Sequence, residues 1–178
     1  DLEEKQGLIS VWQKLRELIG SSDGQKFRIY AQKVSLDVLT RHANLHLKRL
    51  NDRYLVSRST DSVLGLEIED LHQAGVKRPM ESLSGGESFL VSLALALGLS
   101  DLAGRNVQIG SLFIDEGFGS LDSDTLEIAI DSLESLLQQE KTVGVISHVP
   151  LLKERIATQV VVEKKSGGVS RLTVVGSN

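Results

Sequence analysis

Two adjacent acids, Asp115 and Glu116, close the apolar run Leu112-Phe113-Ile114. Successive side chains on a strand point to opposite faces, so acids at a strand end can serve two different ligands. One can hold a magnesium ion, partly through water, beside phosphates. The other can orient or deprotonate an attacking water. A second apolar run, Thr142 to Ile146, leads into Ser147-His148. A ring N–H at that place can contact a terminal phosphate and report its loss. A third segment, Leu83-Ser84-Gly85-Gly86-Glu87, precedes the longest apolar run of the chain. A helix that begins there points unpaired N–H groups and its positive dipole end outward. Gly85 and Gly86 let an anion approach the backbone closely. Ser84 can cap the helix or give its hydroxyl to a phosphate oxygen. Ser84 with Glu87 three residues on also fits an ordinary capping box, and the two roles are compatible.

These groups need elements that bring them together. Residues 109–114 read as a strand, 122–139 as a helix and 142–147 as a second strand. Such a crossover makes the strands parallel, with both carboxyl ends at one sheet edge. Asp115, Glu116 and His148 then meet where open α/β sheets place their ligands. Both strands lack polar alternation, which predicts cover on both faces. Helix 122–139 carries Leu126, Ile130, Leu133, Leu136 and Leu137 on one face. A helix is predicted from Gly85 to Asp101. Its apolar part, Phe89 to Leu102, is interrupted by Ser92, Gly98, Ser100 and Asp101, which argues for a core helix and against a membrane span.

The first half is more helical. Residues 1–19 place Leu8, Val11, Trp12, Leu15, Leu18 and Ile19 at helical spacing. Gly20 to Gly24 is a break. Residues 27–50 form a second helix, with a heptad-like seam of Leu36, Leu39, Ala43, Leu47 and Leu50 that continues to Tyr54. Arg41, Lys48, Arg49, Arg53 and Arg58 make its other side basic. Strands are predicted at 54–58 and 63–69 around a turn at 59–62, with a further turn at Ala74-Gly75. A short helix starts near Pro150. Residues 159–164 and 169–175 close as a hairpin around Gly167-Gly168.

The 178 residues suffice for one domain with a real core. Hydrophobic residues are 40%, charged residues 25% and the formal net charge is −4, so the surface as a whole does not attract nucleic acid. No cysteine is present, which rules out disulfides and Cys-ligated zinc and fits a reducing compartment. The chain opens Asp-Leu-Glu-Glu, without an initiator Met or signal peptide, and reads as a piece of a longer protein. The phosphate-cradling pattern G-x-x-x-x-G-K-[ST] is not in it.

In order and spacing, the three chemical segments resemble the C-terminal half of an ABC-type ATPase head. Glu81 to Phe89, Asp115-Glu-Gly-Phe-Gly-Ser-Leu-Asp122 and Gly144-Val-Ile-Ser-His148 resemble the SbcC family of SMC-like repair ATPases, which pair with the SbcD nuclease. The resemblance implies an α/β fold: the C-terminal lobe of a P-loop NTPase head of ABC type, with a parallel sheet and a signature helix. N-terminal helices 1–50 would form the base of a coiled coil, and 51–178 the lobe itself. It makes 83–87 the signature motif, 112–116 the Walker B strand, 120–122 the D-loop and His148 the switch histidine. It assigns Asp115 to the metal and Glu116, with His148, to catalysis. Ser84, Gly85, Gly86, Glu87 and Asp122 become nucleotide contacts, with ATP and Mg²⁺ as cofactors. The implied partners are an N-terminal P-loop lobe of the same parent chain, a second identical head, an SbcD-type metallonuclease and double-stranded DNA, in the cytoplasm and away from membranes. The basic residues 41–58 are the candidate DNA contact. An SMC-type tether and half of a transporter ATPase are the competing readings. Transporters usually carry proline after the catalytic glutamate, where this chain has Gly117.

Overall fold

The computed structural model describes residues 2–20, 24–62, 64–103, 110–137 and 142–176. The chain divides into two compact units, 1–108 and 109–178.

In the first unit, α1 (Leu2–Ile19) and α2 (Gln25–Leu50) are the two expected helices. The expected turn residues Ser21 to Asp23, and the side chains of Leu18 and Ile19, lie outside the description. On α1, Leu8, Val11, Trp12 and Leu15 are exposed. The α2 seam is buried only at its C-terminal end, where Ala43, Leu47 and Leu50 are inaccessible and Leu36 and Leu39 are half-buried. Tyr54, the last expected member of the seam, belongs to a strand.

α3 (Gly85–Ala103) packs along α2. The two backbones come close at Gly98, where a Cβ would fall 2.6 Å from the Ala43 nitrogen. One of the four interruptions of the apolar run is thus a place where two helix backbones meet. By length and composition alone Gly85–Leu102 suffices to cross a bilayer, contrary to the expectation from its length. Packing supplies the better argument, because Leu90, Val91, Leu93, Ala94 and Leu97 are core residues.

Beside the helices lies an antiparallel sheet of β1 (Tyr54–Arg58), β2 (Leu66–Asp70) and β3 (Val76–Pro79), in that order. The start of the expected second strand, Val63, lies outside the described residues. Ala74 and Gly75, both left-handed at φ 56° and 72°, turn the chain into β3.

The second unit holds the crossover: β4 (Ser111–Asp115), α4 (Ser123–Leu137) and β5 (Thr142–Ile146). β4 and β5 are parallel, with Asp115 opposite Ile146. The expected strand start at Ile109 and helix end at Gln139 lie outside the described residues. Leu126, Ala129, Ile130, Leu133 and Leu136 are buried, whereas Leu137 is exposed. The expectation of cover on both strand faces is wrong for this chain. Phe113 is 75% exposed, and its ring lies over Gly144 of the neighbouring strand. Among the described residues the sheet has two strands, and α4 packs on β5, so one face stays open. α5 (Pro150–Arg155) follows, then the exposed hairpin β6 (Gln159–Lys164) and β7 (Ser170–Val175), which turns at Gly167 and Gly168 with φ 85° and 79°.

Candidate functional site

Two sets of groups carry the predicted chemistry, one in each unit. In the second unit, parallel pairing delivers both strand ends to one edge. Glu116 N–H extends the pairing by donating to the Ile146 carbonyl at 2.9 Å. Glu116 itself is left-handed, with φ 60°, and Gly117 follows at φ 96°. A non-glycine residue rarely holds that conformation, and such residues gather at functional sites. The reversal ends the strand at the acids. His148 Nδ1 then lies 3.5 Å from Glu116 Oε1, both side chains being largely exposed. A Cβ on Gly119 would be 3.7 Å from the His148 ring, so the glycine leaves room beside the imidazole. Sequence placed Asp115, Glu116 and His148 at one edge, and the structure brings them there.

Asp115 is exposed at the last position of β4. No group of three or more metal-ligating side chains occurs among the described residues. That donor set fits a magnesium ion held by one carboxylate, water and phosphate oxygens, and does not fit an all-protein cage.

Asp122 caps α4. Its Oδ1 accepts the Thr125 N–H at 3.0 Å and its Oδ2 accepts the Thr125 hydroxyl at 2.8 Å. The Thr125 amide bond, first, and the hydroxyl bond hold its carboxyl below the usual aspartate range. Ser120 donates to the Gly117 carbonyl at 2.7 Å, which closes the turn between the acids and α4.

In the first unit, the capping box forms in full. Ser84 N–H donates to Glu87 Oε2 at 2.9 Å, and Glu87 N–H reaches Ser84 Oγ at 3.4 Å. The Gly85 and Gly86 amides, in the first turn of α3, have no acceptor within the helix. An anion can take them, while the Ser84 hydroxyl keeps its own proton to donate.

Sequence reasoning missed what stands behind Glu87. Its Oε1 accepts the Tyr54 hydroxyl, and this bond is the main reason its carboxyl sits below the ordinary range. Arg78 Nη2 donates to Tyr54 Oη at 3.0 Å and to Asp70 Oδ2 at 3.2 Å. Arg53 Nη2 donates to the same Asp70 oxygen at 2.6 Å, and its Nε donates to Oδ1 at 2.9 Å. The available signal was the charge pair Asp70 and Arg78, which becomes meaningful only once β3 is placed. The same geometry alters the basic cluster. Arg53 pairs with Asp70 and Arg58 with Asp37, so Arg41, Lys48 and Arg49 are its exposed members outside these two pairs.

Residues 59–135 match the family described as SbcC/RAD50-like, Walker B motif. The chain is 49% identical over 168 residues to the SbcC component of the SbcCD nuclease of Rhodobacter capsulatus, covering 94% of this chain and 13% of that protein. It is also 49% identical over 176 residues to the protein of the same name from Pseudomonas aeruginosa, covering 99% of this chain and 14% of the relative. It therefore spans about a seventh of these relatives. Solved SMC structures share the fold. A chain described under "ATP-driven dimerization and DNA stimulated activation of SMC ATPases" superposes with a TM-score of 0.64 at 18% identity, over 83% of this chain and 89% of that one. An Smc head with an extended coiled coil, in a complex with the ScpA C-terminal domain derived from Pyrococcus furiosus, gives 0.62 at 18% identity, over 98% and 43%. The resemblance to the SbcC family holds in sequence, and the resemblance to an ABC-type SMC head holds in fold.

Proposed function

We propose, on the premise that this is an SbcC-type head segment, that the chain is the C-terminal lobe of an ATP-hydrolysing head. The head would dimerise on ATP and regulate an SbcD-type metallonuclease that processes DNA breaks or hairpins in the cytoplasm. The observation that carries this reading is the Glu116–His148 pair at the strand end beside Asp115. In this reading the metal ligand, the base and the phosphate sensor share one sheet edge, and the chain has no phosphate-cradling pattern.

In this reading Glu116 orients the attacking water and accepts its proton. His148 donates a ring N–H to the terminal phosphate and loses that contact after hydrolysis. Asp115 is the residue that would hold Mg²⁺, which when bound neutralises phosphate charge. Ser84 and the Gly85 and Gly86 amides receive the γ-phosphate of ATP bound to the opposite head. Asp122, while capping α4, lines the same head–head contact. Helices 1–50 continue into a coiled coil, and Arg41, Lys48 and Arg49 are the candidate DNA contacts.

The lobe alone should hydrolyse no ATP, and adding a separately expressed P-loop lobe should restore turnover. Magnesium-dependent turnover by the lobe alone would refute the half-site reading. Likeness to SMC heads favours a second reading, a chromosome tether without a nuclease. Co-purification of the full parent chain with a metallonuclease separates the two.

A further inference from the structure

The first turn of α3 is tied to the three-stranded sheet through one carboxylate. Glu87 uses Oε2 to hold the Ser84 amide and Oε1 to accept the Tyr54 hydroxyl. Tyr54 is 1% exposed and Asp70 0%. The guanidinium carbons of Arg53 and Arg78 lie 4.9 and 5.4 Å from the Tyr54 ring centre. Both arginines converge on Asp70, which also accepts the His72 N–H at 3.1 Å. Arg53 Nη1 stands 3.8 Å from Glu87 Oε1. The chain of bonds thus runs from the end of β2, through β3 and β1, to the carboxylate that grips the signature turn. Tyr54 and Asp70 are its buried members, Arg53, Arg78 and Glu87 are partly exposed, and Arg78 Nε is buried without a hydrogen-bond partner.

A solely stabilising network could end on any acceptor. This one ends on the group that fixes where the Ser84 amide points. The placement also has an electrostatic consequence. A carboxylate at a helix start competes with an incoming anion for N–H groups. Tyr54 and Arg53 hold one oxygen and offset its charge, which leaves Gly85 and Gly86 for phosphate.

We propose that Tyr54, acting through Glu87, is a positioning residue for phosphate recognition at the Ser84-Gly85-Gly86 turn, with Arg53, Arg78 and Asp70 as its support. This rests on the ATPase-head reading and adds to it a residue outside every recognised motif.

The test uses the full parent chain. Tyr54→Phe keeps the ring and removes the hydroxyl. Hydrogen exchange of residues 84–87 should accelerate while that of residues 90–97 stays unchanged. The ATP concentration for half-maximal head dimerisation should rise about tenfold, the range for one hydrogen bond to a charged group. Turnover at saturating ATP should change less. Glu87→Gln, which keeps one acceptor oxygen, should shift half-saturation in the same direction by a smaller factor, and it serves alone if Tyr54→Phe fails to fold. Ser84→Arg is the control for the underlying reading. If Ser84→Arg blocks dimerisation while Tyr54→Phe and Glu87→Gln leave both exchange and half-saturation unchanged, the positioning role is overturned and the head reading stands. If Ser84→Arg also dimerises normally, the signature reading fails and takes this role with it.

Discussion

His148 Nδ1 and Glu116 Oε1 approach to 3.5 Å, although the whole of α4 separates them in sequence. Parallel register produces this meeting: Asp115 faces Ile146, and the chains diverge only after Glu116 donates to the Ile146 carbonyl. Glu116→Gln keeps size and backbone but removes the base. In a head reconstituted with its P-loop lobe, it should retain ATP binding and slow hydrolysis by about a hundredfold or more, the range for losing a positioned base. ATP-driven dimers should last longer. An unchanged turnover rate would remove Glu116 from the mechanism.

Gly98 sets the spacing of α2 and α3. Alanine there would gain helix propensity, about 1 kcal/mol. Its Cβ would also fall 2.6 Å from the Ala43 nitrogen and 3.0 Å from the Ala43 Cα. Backbone atoms cannot rotate away as a side chain can, so the clash outweighs the propensity. Gly98→Ala should cost about 1–3 kcal/mol, as overpacking does. Urea unfolding checks it, and a stability equal to or above the parent's would show that the helices separate freely.

Glu87 makes stability depend on acid. Its folded carboxyl lies below the ordinary glutamate range, chiefly because of the Tyr54 bond. A depressed carboxyl contributes stability that is complete above its unfolded value and lost as pH falls through its folded value. Tyr54→Phe removes the main cause. The stability gap between parent and Tyr54→Phe should therefore be widest at neutral pH and shrink as the medium is acidified below the ordinary glutamate range. Carboxyl NMR of Glu87 should show its titration moving up in the variant. A titration that does not move would dissociate Glu87 from Tyr54.

Legibility followed the range of the interaction. The capping box joins residues three apart, and Ser84 with Glu87 declared it directly. The Asp115, Glu116 and His148 edge was readable because two apolar runs flank an amphipathic helix, and the handedness of such crossovers is nearly fixed. β3 was not readable. Val76-Lys77-Arg78-Pro79 has no apolar alternation and ends in proline, so it is a strand only because β2 pairs with it. Arg78 and its bonds to Tyr54 and Asp70 were invisible with it. Strand cover also misled: Phe113 belongs to an apolar run, but a run records composition, whereas cover depends on what packs there.

Ser84 separates a helix cap from a contact across two heads. The turn offers anion-binding groups without a metal ligand or base, while Asp115 and Glu116 offer those without a phosphate cradle. In the proposed dimer each turn closes over ATP held by the opposite head. Ser84→Arg should leave monomer folding and nucleotide binding nearly intact, because the turn is exposed. It should block ATP-induced dimerisation, because a long side chain enters a closed interface. Mixing Ser84→Arg heads with Glu116→Gln heads sharpens the test. In a mixed dimer, the intact turn of the Glu116→Gln head faces the intact acids of the Ser84→Arg head. One composite site is then undamaged and the other carries both changes. With ATP, labelled Ser84→Arg heads should enter dimers in the mixture beyond what they form alone, as measured by their co-capture with tagged Glu116→Gln heads. Dimerisation is the cleaner readout, because cooperative hydrolysis can stay low when either site is damaged. Ser84→Arg heads that dimerise as well as the parent would reduce Ser84 to a helix cap and place phosphate recognition elsewhere.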